Sequence, residues 1–177
     1  MRVVAGIYGG RKLIAPPGDE TRPTSDRVRE ALFSVLGPSV QGARVLDLFA
    51  GSGALGIEAL SRGAGAAVFV DRSHKAIKAV RANLTALQID AEVRPIEARA
   101  ALRAASGRGE AYDLVFLDPP YRRAAELGRE LSEGLTAVLA PGARVVTESD
   151  RRAPLELDLP VADERRYGDT VIRIHET

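Results

Sequence analysis

Short apolar runs alternate with helical patterns through most of this sequence, and that alternation constrains the fold more than any other feature. The runs have the length of strands and are almost continuously apolar, as in strands that are buried on both faces. Strands that alternate with helices predict a mainly parallel sheet covered by helices on both faces. The predicted strands are residues 43–49, 66–71, 113–118, 143–148 and 170–174, and the predicted helices are residues 73–87 and 124–139.

The first 42 residues follow a different pattern. Residues 2–16 predict two short strands that turn at Gly9 and Gly10. Residues 24–36 predict a helix that begins at a Thr24 or Ser25 cap. We therefore expect an extension at residues 1–42 and an α/β domain at residues 43–177, together forming a single compact unit. The helix residues expected to face inward are Val28, Ala31, Leu32, Val35 and Leu36.

Composition narrows the class of protein. The chain has no Cys and only two His, so zinc sites built from Cys and clusters of His ligands are not expected, and we predict no metal. It has no apolar run of about 18 residues, which favours a cytoplasmic protein over a membrane protein. The net charge is only +1, but the first 29 residues carry six Lys or Arg and three acids. A local basic patch is therefore predicted.

A glycine-rich loop follows the first strand of the α/β domain. The stretch VLDLFAGSGALG, residues 45–56, places Gly51, Gly53 and Gly56 in the pattern G-x-G-x-x-G between a strand and the start of a helix. Glycines there let backbone N–H groups approach a ligand closely. Asp71 ends the next predicted strand, where a carboxylate can accept hydrogen bonds from both hydroxyls of a ribose. Together these features predict a nucleotide-like cofactor.

Asp47 indicates which cofactor this loop holds. A dinucleotide oxidoreductase uses such a loop to bind a pyrophosphate, which a carboxylate four residues before Gly51 would repel. S-adenosylmethionine has no phosphate, and its ammonium and sulfonium are attracted to a carboxylate. The pattern D-x-F-x-G-x-G resembles the cofactor loop of Rossmann-like methyltransferases, which implies an adenine contact near Glu97. The residues assigned to the cofactor are Asp47, Phe49, Gly51, Gly53, Asp71, Arg72, Glu97 and Ala98.

The stretch YDLVFLDPPYRR, residues 112–123, ends a predicted strand with an acid and two prolines. Its DPPY tetrad resembles the catalytic motif of methyltransferases that act on amino groups of nucleobases. Asp118 and the carbonyl of Pro119 can each accept an N–H bond from the amine, which holds the nitrogen lone pair toward the methyl group. Asp118 can also stabilise the charge that develops on nitrogen. Tyr121 offers a face on which an unpaired or flipped base can stack, and Pro120 completes the predicted catalytic set.

The resemblance extends over nearly the whole chain. TRPTSDRVREALF, VLDLFAGSGALGIEALSRGA, FLDPPY and RRYGDTVIRI closely resemble segments of the bacterial RsmD family. The resemblance implies a class I, Rossmann-like fold with a mostly parallel seven-stranded sheet. It also implies methyl transfer from S-adenosylmethionine to the 2-amino group of one guanine in 16S rRNA. We expect a monomer that recognises the shape of folded rRNA in a small-subunit particle.

Basic residues on the predicted N-terminal hairpin, around the start of the first helix and beside the DPPY tetrad can contact RNA phosphates. DPPY also occurs in DNA adenine methyltransferases, so a DNA enzyme is a second candidate, although it would be expected to carry a further target-recognition segment. A nicotinamide oxidoreductase and an RNA-binding module without activity are two further candidate classes. The residues assigned to RNA are Arg2, Arg11, Lys12, Arg22, Arg27, Arg122 and Arg123.

Overall fold

The structure is a computed structural model that describes residues 1–18, 25–119 and 124–177, with the backbone alone for residues 124–126. Within these ranges, no helix is long and apolar enough to cross a membrane. The helices are α1 (Asp26–Leu36), a 3-10 helix (Gly37–Val40), α2 (Ala54–Ser61), α3 (His74–Leu87), α4 (Ala98–Gly107) and α5 (Ala124–Thr136). The strands are β1 (Arg44–Asp47), β2 (Ala66–Val70), β3 (Glu92–Arg94), β4 (Tyr112–Leu117), β5 (Leu139–Asp150), β6 (Val161–Tyr167) and β7 (Thr170–Glu176).

The strands form one seven-stranded sheet in the order β3-β2-β1-β4-β5-β7-β6, which confirms the predicted α/β class. The first five strands in this order pair in parallel, whereas β7 is antiparallel to both β5 and β6. The direction in which successive strands are added reverses between β1 and β4. In open α/β sheets, the crevice at such a reversal, outside the carboxyl ends of the strands, is where ligands bind. Asp47 ends β1, and Asp118 directly follows β4.

The apolar core has two parts, one on each face of the sheet. One includes residues of α1, α2 and α3 with Phe69 and Phe116 from the sheet. The other includes residues of α4 and α5 with Val70 and Leu117. Because side chains alternate along a strand, neighbouring sheet residues contribute to different parts. The predicted helices on both faces are therefore confirmed.

The two short strands predicted near the N-terminus are present only as a short antiparallel pairing. Arg2 and Lys12 form an isolated bridge, flanked by backbone hydrogen bonds from Val3 N to Arg11 O at 2.9 Å and from Leu13 N to Met1 O at 3.1 Å. Beyond this pairing, backbone N–H groups of the segment bond to side chains of α2. The Glu58 carboxylate accepts from the N–H groups of Val4 at 2.7 Å and Ala5 at 3.0 Å. These contacts attach the N-terminal segment to the α/β domain, and Val3 and Leu13 join its core.

The first helix begins and packs partly as predicted. Ser25 caps it by accepting a hydrogen bond from Val28 N, while Thr24 lies outside the described residues. Leu32 and Leu36 are buried as expected, but Phe33 and Arg29 are also buried. An arginine can be buried there because its guanidinium donates to Asp26 at 2.8 Å and to the Arg2 carbonyl. Val28 and Val35 are partly buried against the core, whereas Ala31 is partly exposed.

Some other elements also differ from the sequence prediction. Helix α5 ends at Thr136 rather than at residue 139, because Leu139 already pairs with Tyr112 at the start of the long strand β5. Strand β6 was not predicted, since its sequence VADERRY is mostly exposed and charged. It is held by pairing with β7 rather than by burial of its side chains.

Candidate active site

Asp47 is positioned by β1 and held against the start of α2. Its carboxylate accepts a hydrogen bond of 3.1 Å from the Gly56 N–H. Burial raises the pKa of Asp47 to about 7 against the effect of that bond, and the nearby Asp71 carboxylate raises it further. A side chain at Gly56 would place its Cβ 2.4 Å from the Phe69 ring, so glycine lets α2 lie this close to the sheet. The site therefore holds a carboxyl group that ionises near neutral pH.

Asp71 shapes the glycine loop itself. Its two carboxylate oxygens accept from the N–H groups of Gly51 at 2.9 Å and Ser73 at 2.8 Å. Gly51 and Gly53 both have positive φ, +55° and +81°, which a residue with a side chain rarely adopts. Asp71 thus links the loop after β1 to the start of α3. This contact was not foreseen, and the assigned ribose contact of Asp71 stays a prediction.

Asp118 lies beside two other acids on one face of the sheet. Leu117 pairs with Thr147, so the next residue, Asp118, is level with Glu148 of β5. Asp47 reaches the same region from β1, where it pairs with Phe116. Desolvation by the surrounding protein raises the pKa of Asp118 well above its ordinary value, and the charges of Glu148 and Asp47 raise it further. The site therefore brings together acids whose ionised forms a bound cation would stabilise.

Glu148 is a site residue that sequence reasoning missed. It is 5% exposed and follows Val145, Val146 and Thr147 in β5. The sequence does contain a signal, an acid that ends the predicted strand at residues 143–148, because acids buried in strands are rare without a functional or pairing role. Pro119 is buried next to Asp118, and Pro120 and Tyr121 of the predicted catalytic set lie outside the described residues.

Glu97, the predicted adenine contact, lies after β3 at the start of α4. Glu97 precedes α4, and its carboxylate forms a 3.3 Å ion pair with Arg72, which follows Asp71. Both side chains are more than half exposed, so their contact costs little to open. Ala98 is buried at the first residue of α4, and Phe49 is partly buried against the core beneath this side. These residues surround the crevice at the ends of β1, β2 and β3.

The residues predicted to bind RNA are placed differently from one another. Arg2 pairs with Asp26 at 3.0 Å, and Arg11 donates to the Ala86 carbonyl at the end of α3 at 3.2 Å. Lys12 and Arg27 are exposed. Arg22, Arg122 and Arg123 lie outside the described residues. Within the described ranges, no group of three or more His, Cys, Asp or Glu is arranged to hold a metal.

Several known proteins are similar to this chain in sequence. The family model described as Conserved hypothetical protein 95 matches residues 1–176. The putative rRNA methyltransferase YlbH of Bacillus subtilis is 42% identical over 99% of this chain and 98% of its own length. The ribosomal RNA small subunit methyltransferase D of Escherichia coli is also 42% identical, over 70% of this chain and 61% of its own length.

Two solved structures have a similar fold. The putative methyltransferase yhhF from Escherichia coli superimposes with a TM-score of 0.83 at 36% identity, over 99% of this chain and 97% of that chain. RsmC, a 16S rRNA N2 methyltransferase of Thermus thermophilus solved with AdoMet and guanosine, has a TM-score of 0.74 at 23% identity, over 92% of this chain and 45% of that chain. The latter likeness concerns the fold alone.

The strand order, the glycine loop and the acids around it define a class I methyltransferase that uses S-adenosylmethionine. Within that class, the match over nearly the whole chain is specific. The chain belongs to the RsmD family, whose model carries the description Conserved hypothetical protein 95.

Proposed function

We propose that this chain methylates the exocyclic 2-amino group of one guanine in 16S rRNA. The observation that carries the proposal is the position of Asp118 and Pro119, at the end of β4 and beside the cofactor strand β1. The name of the E. coli relative, a small-subunit rRNA methyltransferase, supports the RNA substrate. The resemblance of the DPPY tetrad to the motif of amino-group methyltransferases supports an exocyclic amine as the methyl acceptor.

The residues of the crevice divide the work between binding and chemistry. When bound, S-adenosylmethionine supplies an electrophilic methyl group on a positively charged sulfur. Asp47, Asp71 and the glycine loop hold it, with Phe49, Arg72, Glu97 and Ala98 along the adenine and ribose side. Asp118 and the Pro119 carbonyl each accept one N–H bond from the guanine amine, which directs the lone pair at the methyl carbon. Pro120 completes the proposed catalytic set, and Tyr121 stacks on the base.

Methyl transfer forms a nitrogen–carbon bond while the carbon–sulfur bond breaks, and its electron pair remains on sulfur. The amine nitrogen becomes positive, and Asp118 stabilises that charge and accepts the proton. Burial and the acids Glu148 and Asp47 raise the pKa of Asp118. A carboxylate with a raised pKa is a stronger base, which suits it to this task.

The proposal extends to the state of enzyme and substrate. The chain acts as a cytoplasmic monomer on rRNA within a small-subunit particle. Arg2, Arg11, Lys12, Arg22, Arg27, Arg122 and Arg123 contact RNA phosphates around the target nucleotide. The extension at residues 1–42 contributes to this RNA contact and covers the active site. It forms one unit with the α/β domain at residues 43–177.

The direct test is to supply methyl-labelled S-adenosylmethionine together with one nucleic acid at a time. The candidates are 16S rRNA, precursor particles, small subunits and duplex DNA, each followed by nucleoside mapping. We expect a single N2-methylguanine in 16S rRNA, with particles preferred over naked RNA. Label on adenine in DNA would replace the RNA enzyme with a DNA methyltransferase, and absence of label from every RNA substrate would refute the proposal.

A further inference from the structure

The exposed side of α3 carries positive charge without negative charge. Lys75, Lys78 and Arg81 are all exposed, and the helix contains no Asp or Glu. Successive members are three residues apart, so their side chains follow one side of the helix over about 9 Å. A row of like charges at this spacing destabilises an isolated helix, which indicates that the row serves another purpose.

The N-terminal segment adds to this row. Asn83 of α3 accepts from Ile14 N at 2.8 Å and donates to Ile14 O at 2.9 Å, which fixes the segment against the helix. Arg11 bonds to the Ala86 carbonyl near the end of α3, and Lys75 Nζ lies 3.8 Å from the position that a Cβ on Gly18 would occupy. Residues 11–18 therefore run along α3 toward its start. We call Arg11, Lys75, Lys78 and Arg81 the α3 strip.

Several exposed arginines elsewhere on the molecule are paired with acids. Arg165 pairs with Asp163 at 2.9 Å, Arg166 with Glu164 at 2.8 Å, and Arg152 with Asp150 at 3.2 Å. Within residues 1–18, 25–119 and 124–177, no acid forms an ion pair with Lys75, Lys78 or Arg81. Arg152, Arg165 and Arg166 are therefore neutralised by neighbouring acids, whereas no described acid forms an ion pair with the three cations on α3.

The charge of Lys75, near the start of α3, is opposite in sign to the charge that stabilises the start of a helix. The N-terminus of a helix carries partial positive charge and favours acids in its first turn. Here the first turn has no acid, and Lys75 is its second residue. The three cations are thus unfavourable with one another, and Lys75 is also unfavourable with the helix dipole. An anionic partner removes both penalties at once.

We propose that the α3 strip binds the phosphate backbone of the RNA substrate, extending the RNA contact from the N-terminal segment along α3. This inference rests on the proposed rRNA methyltransferase function. Lys75 lies four residues beyond Asp71, so the strip starts at the edge of the sheet where the cofactor loop lies and leads away from it. It therefore binds RNA that flanks the target nucleotide. Phosphate contacts carry no sequence information, so the strip adds affinity and orientation rather than choice of base.

The test variant combines Lys75→Gln, Lys78→Gln and Arg81→Gln. Binding to a 16S rRNA transcript and to an unrelated structured RNA is measured over a range of salt concentrations. Losing three phosphate contacts should reduce the slope of log affinity against log salt by about 2 to 3, equivalent to roughly 50-fold weaker binding near 0.15 M salt. Both RNAs should be affected alike. The melting temperature should stay the same or rise, and its increase with S-adenosylmethionine should persist.

The matched control combines Arg152→Gln, Arg165→Gln and Arg166→Gln, which removes as many exposed charges from paired sites. Its salt slope should stay close to that of the parent. An unchanged slope in the α3 variant, or equal losses in variant and control, would overturn the α3 strip. Methylation by the parent protein, assayed in parallel, tests the proposed function separately. A parent that binds RNA through the strip but methylates none would refute that function and leave the strip in place.

Discussion

Two clusters of charged groups lie on opposite faces of the sheet, and they differ in how their charges are balanced. One contains Asp47, Asp118 and Glu148 at the carboxyl ends of β1, β4 and β5. The other lies under α4, where Arg94 contacts Glu110 at 3.0 Å and Glu92 at 2.7 Å. Each cluster has a buried charged group at its centre, which makes the pKa values of the two directly comparable.

The shifts run in opposite directions. Burial disfavours the charged form of Glu110, but hydrogen bonds from Arg108, Tyr112 and Arg94 outweigh it and lower its pKa to about 2. Burial and the hydrogen bond to Glu110 raise the pKa of Tyr112 to about 12. At Asp47 and Asp118 burial prevails, and neighbouring acids add to it, so both pKa values rise. Among the described residues, no basic side chain contributes to either of these two shifts.

The difference separates a structural cluster from a site prepared for a ligand. Arg94 supplies the cation that its acids need, so that cluster is complete in the folded chain. Asp47 and Asp118 receive no such contribution from the described residues. Under the proposed function, the positively charged cofactor and the charge that develops on the target amine supply it. Buried acids whose pKa values are raised in this way are costly for the fold but useful for binding a cation.

The largest expected effect is on catalysis by the acid cluster. Asp118→Ala should reduce methyl transfer by about 100-fold or more, because positioning and proton acceptance are lost together. Asp118→Asn should retain intermediate activity, since it keeps one acceptor oxygen but not the charge. Both are measured in single turnover with saturating cofactor and the rRNA particle. Full activity of Asp118→Ala would remove Asp118 from the reaction.

The control for this prediction lies on the same strand. Asp113 is exposed at the other end of β4, where its carboxylate accepts from Arg44 N at 2.7 Å. Asp113→Asn retains an acceptor there and should transfer methyl groups at the parent rate. A comparable loss in this variant would show that β4 responds to any loss of charge rather than to the loss of Asp118.

The next largest effect concerns the paired cluster, where stability should change instead of activity. Arg94→Met leaves Glu110 and Glu92 without their common cation, and we expect the free energy of unfolding to fall by about 3 kcal/mol. Urea denaturation measures this change. The exposed pair of Arg99 with Glu130 offers a control, since Arg99→Met should cost no more than about 0.5 kcal/mol. The cofactor affinity of Arg94→Met should match that of the parent. A large loss of affinity would show that the Arg94 cluster also affects cofactor binding.

The smallest effect is the pH dependence of cofactor binding. The pKa of Asp47 is raised to about 7 in the folded chain, so the contribution of its neutral form to stability is complete below its ordinary pKa and is lost as pH rises through about 7. The ionised form attracts the cationic cofactor, so affinity should rise about tenfold from pH 6 to pH 8. Calorimetric titration over this range measures the trend. Asp47→Asn should flatten it, and a slope that persists in Asp47→Asn would assign the titration to another group.

The sequence by itself determined the α/β class, the cofactor loop and the end of β4, because each depends on a pattern confined to a few neighbouring residues. Apolar runs mark buried strands, and glycines mark close backbone approach, wherever the segments lie in space. The same local logic identified Ser25 as a helix cap.

Tertiary structure alone decided which distant groups meet. Glu148 follows Asp118 by thirty residues, and only the parallel pairing of β4 with β5 brings its charge to that carboxyl group. Glu58 and Asn83 look like ordinary polar helix residues, yet the fold buries them to hold the N-terminal backbone that the pattern assigned to a hairpin. Burial and electrostatic coupling depend on neighbours in space, so no local pattern specifies them.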